Sequence, residues 1–418
     1  MSRFRSALAG LVVCCVLSGC SSDRPVSEAE AANVDSLSSC EILPAGSRLP
    51  RFGTDGRRLV LSYVISDTTG GDRLFAREWR EGKWAPDTLL ARGAEWFVNW
   101  ADYPSVQPLG GNLFYHLLEY AGEGTYDYDI RFAVGEAGGD GAQVLHNDGV
   151  SAEHGFLSSA HRPDGSLRVT WLDGRHTKTP EAPAEDGNHH HRADSGGAMT
   201  LRTAIISRDG RVGQREELDH RVCDCCNTAT VVTDGGAMVV YRDRSEEEIR
   251  DMAFVRQLGD GSWTEPERVN PDNWQITGCP VNGPALTANA RGDIATAWFT
   301  AADDKPRIQF ARFDTLTQHF RIPLVLDADG SLGRVDAVME ADGTAYVLGL
   351  TQGREADTAD LKLWTIDPDN RVSAQTVGRM SAGRSSGFPR LALGPGGVWV
   401  AYREPGPEQR VRLCFREH

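Results

Sequence analysis

Asp234-Gly235-Gly236, then Met238-Val239-Val240-Tyr241, Met252-Ala253-Phe254-Val255-Arg256 and Trp263-Thr264-Glu265-Pro266, form one unit of a pattern that runs through the 418-residue chain. A glycine turn is followed by a β-type run ending in an aromatic, a third run, and a turn ahead of a fourth. The turn recurs as Thr54-Asp55-Gly56, Leu109-Gly110-Gly111, Pro163-Asp164-Gly165, Ala290-Arg291-Gly292, Ala341-Asp342-Gly343 and Gly394-Pro395-Gly396. Glycine there supplies the positive φ that closes a hairpin. Second strands follow at 59–63, 113–115, 167–171, 294–298, 345–348 and 398–402. Sets of four strands repeating about every 50 to 57 residues, with one longer module, predict an all-β chain folded as a single β-propeller. A sandwich would not repeat its strands as a set, and a helical solenoid would show a 3.6-residue period that is missing here.

Seven modules can be counted, with six the alternative if a terminal module is degenerate. The last, from Pro389 to Phe415, has three strands, while Cys40-Glu41-Ile42-Leu43 precedes the first module with no blade of its own. A ring protects its edges, so this N-terminal strand should complete the last blade. That pairing brings Cys40 to Cys414 and predicts a disulfide.

Arg3 and Arg5 precede an apolar run from Ala7 to Leu17 that is too short to span a bilayer, the pattern of a secretory signal over residues 1–19. Leu17-Ser18-Gly19-Cys20 resembles the bacterial lipobox, which implies lipidation of Cys20. Ser21 after it implies, by resemblance to Gram-negative lipoproteins, an outer-membrane anchor facing the periplasm or the cell surface. Residues 20–39 are polar and aperiodic, a tether, and 40–418 form the propeller. No other segment approaches transmembrane length, so the lipid is the expected membrane contact. The formal charge of -15 argues against nucleic acid as a partner. A monomer is expected.

With the glycine hairpins on one face, the opposite face carries the approach to each innermost strand and the loop between strands two and three. The long loops lie there: Asp173 to Gly197, containing His189-His190-His191, and Tyr241 to Asp251. A ligand site is expected at that mouth.

Trp171-Leu172-Asp173-Gly174-Arg175, Tyr241-Arg242-Asp243-Arg244, Gly278-Cys279-Pro280-Val281-Asn282-Gly283-Pro284 and Gly387-Phe388-Pro389-Arg390 resemble the sialidase-like (BNR, Asp-box) propeller superfamily, and within it uncharacterised bacterial sialidase-like lipoproteins. The Asp-box is degenerate, surviving as fragments at 313–320 and 258–263. The resemblance implies arginines gripping a carboxylate and a tyrosine nucleophile with an acidic partner. Candidate ligand residues are Arg175, Arg242, Arg244, Arg250, Asn282, Arg334, Asp336 and Arg390, since guanidinium forks match carboxylates. Neighbouring acids such as Asp173 and Asp243 could instead neutralise the arginines. Tyr103 with Asp102 is the candidate catalytic pair, and Tyr126 or Tyr128 the alternative nucleophile.

Cys223, Cys225, Cys226 and Cys279 fall at one level of the fourth and fifth blades. In an exported protein they should pair as disulfides, with Cys279 linked to one of the other three. Alternatively they bind zinc or copper, with Asp224 or His220 completing the site, or act as redox thiols. The run of three histidines reads as a solvated insertion more readily than as a metal site. Three functions follow: a propeller binding a small anionic ligand or glycan, a sialidase-type glycoside hydrolase, and a metal or redox protein.

Overall fold

Seven antiparallel sheets follow one another along the chain, each beginning with its innermost strand. The structure, a computed structural model, describes residues 37–67, 70–135, 141–178 and 197–418. The signal segment, Cys20, most of the tether and His189-His190-His191 lie outside the described residues. Blade 1 is Ser47–Thr54, Leu59–Ser66 and Asp72–Arg80, with an outer edge of Lys83–Trp84 and Thr88–Gly93. Blade 2 is Ser105–Leu109, Asn112–Tyr120, Tyr128–Gly135 and Gln143–Val144. Blade 3 is His154–His161, Leu167–Asp173, Thr200–Ile206 and Val212–Asp219, and blade 4 is Ala229–Thr233, Gly236–Arg242, Met252–Arg256 and Glu267–Arg268. Blade 5 is Ala285–Ala288, Ile294–Thr300 and Arg307–Asp314, with His319–Phe320 and Leu324–Asp327 outside. Blade 6 is Ser331–Met339, Ala345–Gln352, Thr358–Ile366 and Val372–Ser381.

Blade 7 combines Arg390–Gly394, Gly397–Arg403 and Val411–Glu417 with the N-terminal strand Ser39–Ile42. The register sets Cys40 opposite Cys414, and the two form the expected disulfide. The ring therefore has seven blades, not six. The outer edges of blades 1 and 5 are each split in two, because Pro86 and Pro323 cannot donate to the ladder. The seven hairpin glycines, 56, 110, 165, 236, 292, 343 and 396, all have φ between 60° and 109°.

The core is divided among the seven seams between blades. Alternate residues of a strand point to opposite faces, so Leu59, Leu61 and Tyr63 of blade 1 pack toward blade 7 while Val60 and Val64 pack toward blade 2. Blade 6 repeats the device: Ala345 and Val347 face blade 5, and Tyr346, Leu348 and Leu350 face blade 7. Because both faces of each sheet are covered, the second strands are nearly continuous apolar runs rather than alternating ones. At the closing seam Trp79, Trp84 and Trp399 meet edge to face, with centroids 4.9 to 5.5 Å apart. Among the described residues no helix is long and apolar enough to cross a membrane.

Candidate functional site at the axial mouth

The chain approaches each innermost strand from the face opposite the glycine hairpins, so these approaches ring the axis. In blade 2 the approach is Trp100-Ala101-Asp102-Tyr103. The Asn99 side chain accepts from the Ala101 N–H at 3.1 Å and the Asn99 N–H donates to the Asp102 carbonyl at 2.9 Å, a tight turn that fixes Asp102. The Tyr128 hydroxyl lies 3.0 Å from Asp102 Oδ2 and 3.1 Å from Glu153 Oε1. Tyr128 stacks on Phe97 at 4.1 Å and is fully buried; Asp102 is 3 % exposed, and Glu153 is half-buried. Glu153 is thus the least buried member of the group. The group closes because position 155 is glycine: a Cβ there would stand 1.9 Å from Asp102 Oδ2 and 2.8 Å from the Tyr128 hydroxyl.

A phenol has one proton, so Tyr128 cannot donate to both carboxyls at once. If both contacts are hydrogen bonds, one carboxyl is itself protonated and donates to the phenol oxygen. Burial agrees: it pushes Asp102 up to about 7 despite hydrogen bonds from the Phe156 N–H and Tyr128, and burial together with the Asp102 charge pushes Glu153 up to about 8. Burial and both carboxyls raise Tyr128 well above the usual phenol value. Near neutral pH this is a proton-holding unit, with Glu153 its least buried member.

Beside it lie two arginines. Arg390 donates to the Tyr103 hydroxyl from Nε at 3.1 Å and from Nη2 at 2.8 Å, and Arg51 of blade 1 reaches across to the Leu157 carbonyl of blade 3 at 3.1 Å. Each guanidinium carbon lies 5.9 Å from the centre of the Tyr103 ring. Burial and the Arg390 charge lower Arg51, and burial raises Asp336 against the pull of Arg390. His116 is driven down to about 3 by burial and Arg51, which keeps it neutral. Trp100, half-buried, lies parallel to Phe388 at 5.7 Å, an aromatic face at the same mouth.

The expected constellation is only partly assembled. Tyr103 and Asp102 adjoin the axis, but Tyr103 is fully buried and holds Arg390, so the tyrosine with acidic partners is Tyr128; Tyr126 is exposed on the loop. The expected arginines are committed elsewhere. Arg175 is bound by Asp173, at 2.7 Å from both Nε and Nη2, and by Asp148 at 3.1 Å. Arg242 donates to the carbonyls of Asn282, Arg250 and Phe299, and Arg334 to those of Ala382, Gly383 and Gly387 and to Ser386 Oγ. Arg244 pairs with Asp224 and Glu248, and Arg250 with Glu248. Asn282 accepts from the Arg334 N–H at 2.7 Å and Asp336 from the Leu391 N–H at 2.8 Å, each tying one approach to another. Of the arginines expected to converge, Arg390 adjoins this group through Tyr103, and Arg334 lies over Trp100 with its guanidinium carbon 5.0 Å from the ring centre.

Arg51 and Glu153 were not anticipated. A signal for Arg51 existed: Leu49-Pro50-Arg51-Phe52 repeats Phe388-Pro389-Arg390-Leu391, an arginine between apolar residues after proline. Glu153 carries no such mark, since its role depends on Tyr128 arriving from another blade.

The four cysteines are free in the structure, so the expected link from Cys279 is not formed. Strand alternation would turn Cys226 away from Cys223 and Cys225, but residues 224–226 form a turn and a bend, and all three sulfurs meet. The His220 side chain is 88 % exposed against Asp219 and takes no part. Contacts with Cys225 and Cys226, helped by Arg250, hold the Cys223 thiol well below its usual value.

No protein-family model and no curated protein sequence matches the chain. Among solved structures it is similar to an ulvan lyase, described as a new family of polysaccharide lyase bound to -[GlcA(1-4)Rha3S]-, at 12% identity and a TM-score of 0.53, over 91% of this chain and 96% of that one. A protein of unknown function from Dyadobacter fermentans aligns at 10% identity and a TM-score of 0.46, over 91% and 98%. A Hadza microbial sialidase aligns at 11% identity and 0.45, over 82% and 73%. Of these three, the lyase alone bears on the fold.

Proposed function

We propose that the protein is a carbohydrate-active propeller that takes an acidic glycan at its axial mouth and cleaves it with Glu153 as general acid. The observation that carries this reading is the single Tyr128 hydroxyl held between Asp102 and Glu153. The unit keeps a proton on a carboxyl near neutral pH, where a general acid is most effective. Tyr128 and Asp102 are positioning residues behind it, too buried to meet substrate. Arg51 and Arg390 supply the positive field for a substrate carboxylate. The lyase that shares the fold is bound to a glucuronate-bearing glycan, which supports an acidic carbohydrate as ligand. Titration with uronate- and sialate-bearing oligosaccharides and their neutral counterparts tests the preference: binding confined to the acidic set is expected, and equal binding would overturn it.

Export and lipid anchoring at Cys20 belong to the same proposal, placing a monomeric propeller in the cell envelope at the outer membrane. The Cys40–Cys414 disulfide supports an oxidising compartment. Labelled palmitate should be incorporated by the wild type and not by Cys20→Ser; equal labelling would exclude this anchor.

A further inference from the structure

Beside the mouth, the approach to blade 4 brings three sulfurs together, and a fourth cysteine, Cys279, stands exposed on the approach to blade 5. Cys223 Sγ lies 3.8 Å from Cys225 Sγ and 3.7 Å from Cys226 Sγ, and the three sulfurs lie within 4.8 Å of one another. Cys279, exposed on the next approach, is not one of this three-sulfur group. A disulfide needs sulfurs about 2.0 Å apart, so these are packed thiols and not bonded pairs. Zinc binds thiolates at about 2.3 Å, and a tetrahedron of that radius has edges of about 3.8 Å. The two spacings among Cys223, Cys225 and Cys226 match those of ligands sharing one ion.

The surroundings suit such an ion. Cys223 and Cys226 are buried, Cys225 is half-buried and Cys279 is exposed, so burial falls off toward Cys279. Arg250 Nη1 donates to Cys223 Sγ at 3.2 Å while Glu248 holds the same guanidinium at 2.7 Å, an outer contact that fixes Cys223 and offsets the charge of a thiolate-rich site. Val222 bridges to Asp243 and the Cys223 N–H donates to the Arg242 carbonyl at 3.0 Å, so the turn is anchored on the sheet.

We infer that Cys223, Cys225, Cys226 and Cys279 bind one thiophilic cation, zinc(II) or copper(I), with Cys279 as the ligand that closes the site from the solvent side. Soft thiolates select these two ions over calcium or magnesium. Binding displaces a proton from each thiol that is not already ionised.

The test is titration of the reduced, metal-free chain with zinc(II) and, separately and without oxygen, with copper(I), followed by metal analysis and alkylation mapped to each cysteine. One ion per chain and protection of all four thiols are expected, and competition between the ions identifies the preferred one. Cobalt(II) should give thiolate charge-transfer absorption and tetrahedral ligand-field bands. Cys279→Ser, at an exposed position that leaves the core untouched, should keep the far-ultraviolet spectrum and lose at least tenfold in affinity. Alkylation of all four thiols at the same rate with and without both ions would overturn the inference. So would disulfides among these four in the chain isolated without reductant.

Discussion

Arg390 grips the phenolic oxygen of Tyr103 with two donors, at 3.1 and 2.8 Å, although the two residues are 287 positions apart. The contact joins the approach of blade 7 to that of blade 2 and bypasses blade 1, so it acts as an inner clasp on the ring where the chain closes.

Lysine at position 390 keeps the charge and loses the fork. Arg390→Lys should lower stability by about 1–3 kcal/mol, because the buried Tyr103 hydroxyl loses its charge-assisted partners. Thermal unfolding gives the stability, and titration with uronate oligosaccharides should show weaker binding. A variant equal to wild type in both would remove Arg390 from the site.

Asp102 and Glu153 make stability depend on pH with a definite sign. Burial raises both above their ordinary values of 3.8 and 4.5, to about 7 and about 8. Folding therefore favours their neutral forms, and the stability they contribute is complete below those ordinary values and is lost as pH rises through 7 and 8. The melting temperature should fall between pH 5 and 9, and should fall less in Asp102→Asn, whose amide cannot ionise. Parallel slopes for the two proteins would contradict the assignment.

Gly155→Ala places a methyl group 1.9 Å from Asp102 Oδ2, and something must move. Overpacking of this kind costs about 1–3 kcal/mol. The larger effect should be on the proton-holding unit, read as a shift of the pH profile back toward ordinary carboxyl values. An unchanged profile would mean that Gly155 has no part in shaping it.

Replacing Cys40 and Cys414 by serine opens a cross-link that spans 374 residues. The chain-entropy account assigns such a closure about 6 kcal/mol. The ladder from Ser39 to Ile42 and the Trp79, Trp84 and Trp399 cluster remain, so the circular dichroism spectrum should persist while the melting temperature falls. A melting temperature that does not fall would assign ring closure to packing alone.

Glycine turns, aromatic strand ends and the unpaired Cys40 strand are local marks with one structural meaning each, and from them the ring, its direction and its closure could be read in advance. Pairing across blades left no such mark. Arg242 and Arg334 look like ligand arginines in sequence, yet backbone carbonyls left open by the irregular approaches consume them. Tyr128 and Glu153 are 25 positions apart and belong to different blades, and neither residue shows that the two meet. The cysteines were visible as a set, but their convergence depended on a turn at 224–226 where strand alternation was expected.

The most direct measurement compares wild type with Glu153→Gln on the uronate- or sialate-bearing oligosaccharide that the wild type cleaves fastest, across pH 5 to 9. General acid catalysis contributes about 10²–10⁴-fold. The account predicts that the variant binds this glycan with affinity close to wild type, loses at least a hundredfold in kcat, and lacks the fall in rate that the wild type shows above about pH 8. A Glu153→Gln protein that cleaves as fast as wild type with the same pH profile, or a wild type that cleaves no acidic glycan in the panel, would contradict it.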